Sequence, residues 1–350
     1  IFCGWFEPLK STTYSEYPDF SSPVVPMLKK IQTGFNCNFC HDPHSAEPRI
    51  IFAPLIESMT GENGRENFYQ KTVGSKASTP IEVVDMGLRG FTRKIGILKD
   101  YNANFQCGQC HNAANRYLTY KWLKDDKPVR PEDLQKAGVS PYATEFFKDP
   151  LESWAWFKAK GWHQGVNGTT GVHYVNGSDH PHVEIMLQSK HGQAGVTCTD
   201  CHFARKADGK AEHQPSLVKL KVENTCMRSA CHGPGSKSNW TDLGQALYTI
   251  EAIQQEYRIR VQKMEMAAKD AQRIFMKLKA GEASLPQEVK EKLETAYEKY
   301  LSARDWYLTD LSSGFHDPEG FNRTVSVVTW ELRKTNAAAQ GALKKTPVKQ

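Results

Sequence analysis

Eight of the nine cysteines fall into four pairs, and each pair is closed by a histidine. The segments read CNFCH at 37–41, CGQCH at 107–111, CTDCH at 198–202 and CMRSACH at 226–232. The first three are Cys-x-x-Cys-His, the attachment motif of a c-type haem. The spacing follows from the chemistry. Two thiols add to the two vinyl groups of one porphyrin, and the adjoining histidine is held beneath the iron as its proximal ligand. Cys37, Cys40, Cys107, Cys110, Cys198 and Cys201 are therefore read as tethers, with His41, His111 and His202 on the metal. In the fourth segment four residues separate Cys226 from Cys231; this longer loop is a variant of the same attachment, with His232 as ligand.

Paired cysteines also build zinc sites and disulfides. A zinc site of this kind needs two pairs within about 15–20 residues of each other, and only the last two pairs come near that. Neither zinc nor a disulfide explains a histidine after every pair. Four haems c are expected. Because this attachment takes place outside the cytoplasm, a periplasmic or extracellular location is expected with them.

Four of twelve histidines are used in this way, leaving His44, His163, His173, His180, His182, His191, His213 and His316. Several should be distal iron ligands, and any one taken alone is as well suited to a surface or hydrogen-bonding role. His316 stands just before a helix start, where Asp317 caps and Pro318 takes the first helical position. His191 precedes the third motif by a few residues. Spacing alone does not assign either to a particular iron.

The elements that must position these groups divide the chain in two. Residues 1–235 hold every cysteine and are rich in Gly, Pro and Asn, with no long periodic run. Short helices carrying the motifs, and loops wrapping the porphyrin edges, are expected there. Residues 236–350 change character. Leu247, Ile250, Tyr257, Val261, Met264, Ala268, Ala271, Phe275 and Leu278 advance by threes and fours, broken only at Gln254. That stripe predicts a long amphipathic helix ending near Ala280–Gly281. Ser284 and Pro286 open a second helix, with Val289, Leu293, Tyr297, Tyr300 and Leu311 on its apolar face. A third runs from about 318 into an Ala-rich tail. The long stripe suits an intramolecular core or a dimer seam. The fold class expected is mainly α, a multihaem c-type cytochrome fold followed by a long-helix region carrying one distal ligand.

Composition narrows the partners. The formal charge of +6 is spread along the chain, and haem propionates would cancel part or all of it, so nucleic acid is not expected as a partner. Apolar residues make up 39%, slightly under the globular norm, so a large apolar cofactor would help the core. No run approaches the 18 or so apolar residues of a membrane span, and no basic stretch leads into an apolar one, so a leader is expected to have been removed.

The order of motifs and helices resembles cytochrome c nitrite reductase, the five-haem, ammonia-forming enzyme of the periplasm. The likeness extends over essentially the whole chain, through CNFCHDPH, CGQCH, DHPHVEIMLQSKHGQAGVTCTDCH, GKAEHQP and SGFHDPEG. It implies His213 as distal ligand of the first haem, His191 of the fourth and His316 of the third. It also implies that His180 matches the family's active-site histidine. The chain departs from the family at its reactive centre. That haem sits on Cys-x-x-Cys-Lys, and at the corresponding place this sequence offers Cys3, Trp5 and Lys10. The family's Glu-Tyr pair for calcium and substrate is replaced by Ala113 and Ala114, so calcium is not expected there. The family draws its catalytic arginine and the distal ligand of the Cys107/Cys110 haem from a segment upstream of the reactive haem. No such segment is expected here, and His163, His173 or a neighbouring subunit is left to replace that ligand.

Two main functions follow. One is an electron-transfer cytochrome passing electrons through at least four haems, served by partner cytochromes or a quinol-oxidising membrane cytochrome. The other is a reductase of nitrite, hydroxylamine or a related oxyanion. It would use a fifth haem tethered by Cys3 with Lys10 beneath the iron, and His180 as proton donor. A third is a structural, electron-conducting subunit of a larger assembly, or a homo-oligomer, with haem contacts across chains.

Overall fold

A computed structural model describes residues 37–60, 81–85, 94–99, 103–112, 123–124, 127–129, 147–176, 181–206, 208–210, 212–213 and 218–345. The chain is mainly helical. It forms two compact units, Ile1–Asn102 and Ala103–Gln350.

In the first unit, helix α1 (Cys37–Cys40) carries the first motif, and strands β1 (Arg49–Ile50), β2 (Ile81–Asp85) and β3 (Lys94–Leu98) flank helix α2 (Ala53–Thr60). The sheet is antiparallel in the order β1-β3-β2, with Ile50 opposite Gly96 and Val83 opposite Gly96 on the other side. Ile81 and Leu98, paired across the strands, are buried on one face of the sheet and Ile95 on the other, and Ile50, Leu55, Ile56 and Met59 are buried with them. Gly96 is the crowded point, where a Cβ would stand 3.1 Å from Ile81 Cδ1.

The second unit begins with helix α3 (Ala103–Cys107), followed by the small antiparallel sheet of β4 (Leu123–Lys124), β5 (Lys127–Pro128) and β6 (Trp162–His163), ordered β5-β4-β6. Helix α4 (Pro150–Ala159) starts as its sequence dictates: Asp149 Oδ1 accepts from the Leu151 and Glu152 amides at 2.8 and 2.9 Å, with Pro150 next. Helices α5 (His182–Gln188), α6 (Lys190–Gln193) and α7 (Cys198–His202) are short.

Three long helices follow: α8 (Leu243–Lys279), α9 (Gln287–Leu308) and α10 (Pro318–Lys345). Gly281, at φ 73°, ends the first. The predicted stripe turns inward, where Tyr257, Met264, Ala268, Ala271 and Phe275 are buried with Leu293, Tyr297, Trp306, Val328 and Leu332, and Ile250 with Val222 and Ala246. Within this chain the stripe therefore serves an intramolecular core. The break at Gln254 is polar for a reason: its amide donates to Ser312 O at 2.8 Å. One expectation fails. Leu311 lies past the end of α9 and is 81% exposed, because Thr309 caps the helix before the apolar period reaches it.

Candidate metal centres

The first motif is built in the first unit. The His41 amide donates to Cys37 O at 2.8 Å, and His41 Nδ1 donates to the Ala46 carbonyl at 2.9 Å. Ala46 adopts φ 58°, which turns that carbonyl. A histidine held through Nδ1 presents Nε2 to a metal. Arg49 fixes the segment to the sheet by donating from Nε to Asn38 O at 3.0 Å and pairing with Asp42 at 3.4 Å. The His44 and Ser45 amides, with Arg49, hold the Asp42 carboxyl below its ordinary pKa.

The other three motifs share the second unit. The His111 amide donates to Cys107 O at 2.9 Å, and the His232 amide to Cys226 O at 2.9 Å. The four-residue loop of the last motif therefore closes the same way as the two-residue loops. It brings its histidine back to the first cysteine. The third motif lies between the second and the fourth. Cys198 is beside Cys107 and donates its S–H to Asn104 Oδ1 at 3.0 Å; the neighbouring thiol and burial raise the Cys198 pKa. On the other side, burial and then Cys226 push Cys201 up to about 12. Asp200, inside the third motif, accepts from the Thr197 amide at 2.9 Å and pairs with Arg228, inside the fourth, at 3.8 Å.

The remaining histidines sort into pairs. The rings of His202 and His316 have centroids 6.3 Å apart, and those of His191 and His232 are 5.9 Å apart at 88°. Burial, with the charges of His232 and His316, lowers the His191 pKa, and burial lowers that of His232, so both favour the neutral form that binds metal. Both are followed by glycine. A Cβ on Gly192 would run into Met186 O, and one on Gly233 into Met227 O. Trp240 stacks on His232 at 4.5 Å, and Ser238 Oγ meets its Nδ1 at 2.9 Å.

Two groups enter the site that the sequence did not single out. His182 opens α5, and its Nδ1 lies 3.3 Å from His111 Nδ1. Asp310, 2% exposed, accepts from His316 Nδ1 at 2.8 Å and from Ser312 Oγ at 2.6 Å. Burial opposes its ionisation, but these hydrogen bonds and the charges of His316 and His182 bring its pKa below the ordinary value. His182 Nε2 stands 3.9 Å from Asp310 Oδ1. Chain position gave no sign of either. His182 stands only among the eight unassigned histidines, and Asp310 falls within the second helix as the sequence carries it to Leu311.

His163 and His173 stack on each other, centroids 4.3 Å apart, and His163 Nδ1 is 3.2 Å from Gly165 O. The group against His111 is His182. His213 lies by Phe203, centroids 5.7 Å apart, in a different unit from His41. Cys3, Lys10, His180, Ala113 and Ala114 lie outside the described residues.

The groups present suit a covalently bound haem. None of the eight motif cysteines is in a disulfide. An imidazole nitrogen sits about 2 Å from a metal it binds, so two rings on opposite faces of one iron have centroids about 6 Å apart. The His202–His316 and His191–His232 separations meet that.

Residues 99–350 match the family model Cytochrome c552. Cytochrome c-552 of Bacteroides thetaiotaomicron is 22% identical over 309 residues, covering 85% of this chain and 49% of that one. The cytochrome c nitrite reductase subunit NrfA of Nitratidesulfovibrio vulgaris is 22% identical over 293 residues, 81% of this chain and 48% of that one. The chain thus spans about half the length of these curated relatives. In fold it is similar to the cytochrome c nitrite reductase of Desulfovibrio desulfuricans, with a TM-score of 0.59 and 20% identity over 90% of this chain and 58% of that one.

Proposed function

The chain belongs to the cytochrome c552 family, and we propose that it passes electrons through four covalently bound haems c outside the cytoplasm. The observation that carries this reading is the order of motifs in the second unit. The third stands between the second and fourth, with Cys198 beside Cys107 and Cys201 next to Cys226. Such an order suits hopping along the chain of sites.

Each motif has a part in it. Cys37 and Cys40, Cys107 and Cys110, Cys198 and Cys201, and Cys226 and Cys231 tether; His41, His111, His202 and His232 ligate from the proximal side. His316 would complete the site of His202, and His191 that of His232. Haem held by these residues would supply one-electron redox chemistry at each site. Burial favours the neutral form of His191 and His232, and Nδ1 contacts to the Ala46 carbonyl and Asp310 aim His41 and His316. Residues 1–235 act as the haem-bearing part and 236–350 as the helical support that brings in His316. Partner cytochromes, or a quinol-oxidising membrane cytochrome, would exchange electrons with it. Among the described residues no helix is long and apolar enough to cross a membrane.

Similarity to nitrite reductases favours one second reading, reduction of nitrite or hydroxylamine at a fifth haem on Cys3 with Lys10 and His180. Haem counting by pyridine haemochrome and intact mass, with electron paramagnetic resonance, separates the two. Four haems, with no high-spin signal that responds to nitrite, is the expected result. A fifth haem with a high-spin ferric signal that responds to nitrite would replace electron transfer by the reductase.

A further inference from the structure

His182 stands against His111, and the first question is whether both could ligate one iron. They cannot. The Val183 amide donates to His111 O at 3.1 Å, so the two histidines leave adjoining stretches of backbone. Trans ligands must approach an iron from opposite faces of the porphyrin, and neighbours on one side do not reach both. The contact must therefore be made along the outer edges of the rings.

Proton positions then follow in sequence. If His111 gives Nε2 to iron, its Nδ1 carries the proton and donates to His182 Nδ1, 3.3 Å away. His182 then carries its own proton on Nε2, which faces Asp310 Oδ1 at 3.9 Å, beyond a hydrogen bond but within electrostatic reach of the carboxylate. The same oxygen accepts from His316 Nδ1 at 2.8 Å, which leaves His316 Nε2 for a second iron. Every tautomer required by one ligand agrees with that required by the next. The carboxylate at the centre is buried, and its other oxygen takes Ser312 Oγ at 2.6 Å.

We propose that His182 and Asp310 are positioning residues that join the axial ligands of two different haems, those on Cys107/Cys110 and Cys198/Cys201, through one buried carboxylate. A carboxylate partner makes a ligating imidazole more basic and so favours ferric iron. Here one anion does this directly for His316 and, through His182, for His111. The proposal rests on the haem assignment above.

The test is a spectropotentiometric titration of the holoprotein, after haem content has been measured. In Asp310→Ala two haem couples should rise, each by about tenfold in its reduced-to-oxidised ratio at fixed potential, about 59 mV for one electron. The other couples should stay in place. In His182→Phe one couple should rise, because the Asp310–His316 bond persists. Asp310→Glu should restore most of the lost shift. If Asp310→Ala fails to hold its haems, His182→Phe alone decides. Movement of no couple, or of every couple equally, would overturn the bridge, as would a stoichiometric non-haem metal bound by His182, Asp310 and His316. A holoprotein lacking haem on Cys107/Cys110 or Cys198/Cys201 would instead sink the haem assignment.

Discussion

Residues 187–242 and residues 243–345 are both described throughout most of their length, and their interiors differ. Across the first, Ala204 and Val222 are the buried hydrophobic residues among those described. Its order comes from polar links such as Thr197–Asp200, Asp200–Arg228 and Trp240 on His232. Across the second, apolar side chains from all three helices close on one another, with Met264, Tyr297, Trp306, Val328 and Leu332 at 2% exposure or less. One region supplies its own apolar interior. The other has thiols and imidazoles where an interior would be, and its missing apolar area is what porphyrins would bring.

That contrast can be broken most severely by removing a haem. Replacing Cys198 and Cys201 with serine should leave the far-ultraviolet helical signal in place, while amides of 187–242 exchange on the order of tenfold faster or more. Equal loss in 243–345, by the same exchange measurement, would show that the two regions are one folding unit. The converse variant is Trp306→Ala. It should cost about 3–5 kcal/mol in thermal unfolding, with the haem spectrum of the folded protein unchanged. A spectral change at low temperature would tie the helical core to the metal sites.

A smaller effect is expected at Glu298, which accepts from Lys158 Nζ at 2.7 Å and Trp154 Nε1 at 3.2 Å. Glu298→Ala should destabilise the α4–α9 contact by about 1–3 kcal/mol, read by denaturant melts. The least is expected at Arg228→Ala. Its pair with Asp200 is long and partly exposed, worth about 0–1 kcal/mol and weakened by salt. A larger, salt-independent loss would mean that this pair, and not the cofactor, holds the third and fourth motifs together.

The two regions also differed in legibility. Cysteines and proximal histidines could be read directly, because covalent attachment demands fixed local spacing. The helices were readable because burial on one face imposes a period; Ile250, Met264 and Leu293 fell where that period put them. The reading overshot at Leu311, since a period says nothing about where a cap such as Thr309 intervenes. The sheet of β1, β2 and β3 went unread because its strands are two to five residues long and pair across distant segments. His182 and Asp310 lie 71 and 199 residues from His111 in the sequence, a juxtaposition that only tertiary packing creates. Local pattern carries no record of it.

The glycines after His191 and His232 have a bearing on how such a sequence can drift. Each ring is aimed by a backbone that doubles back so closely that a carbonyl oxygen fills the space a methyl group would need. The orientation of the ligand is thus written at a position that never touches it. Lineages could exchange the residues around these rings and retune a potential by degrees. Gaining even one carbon at 192 or 233 would swing the ring itself, so these two sites offer no gradual path, and variation must flow around them.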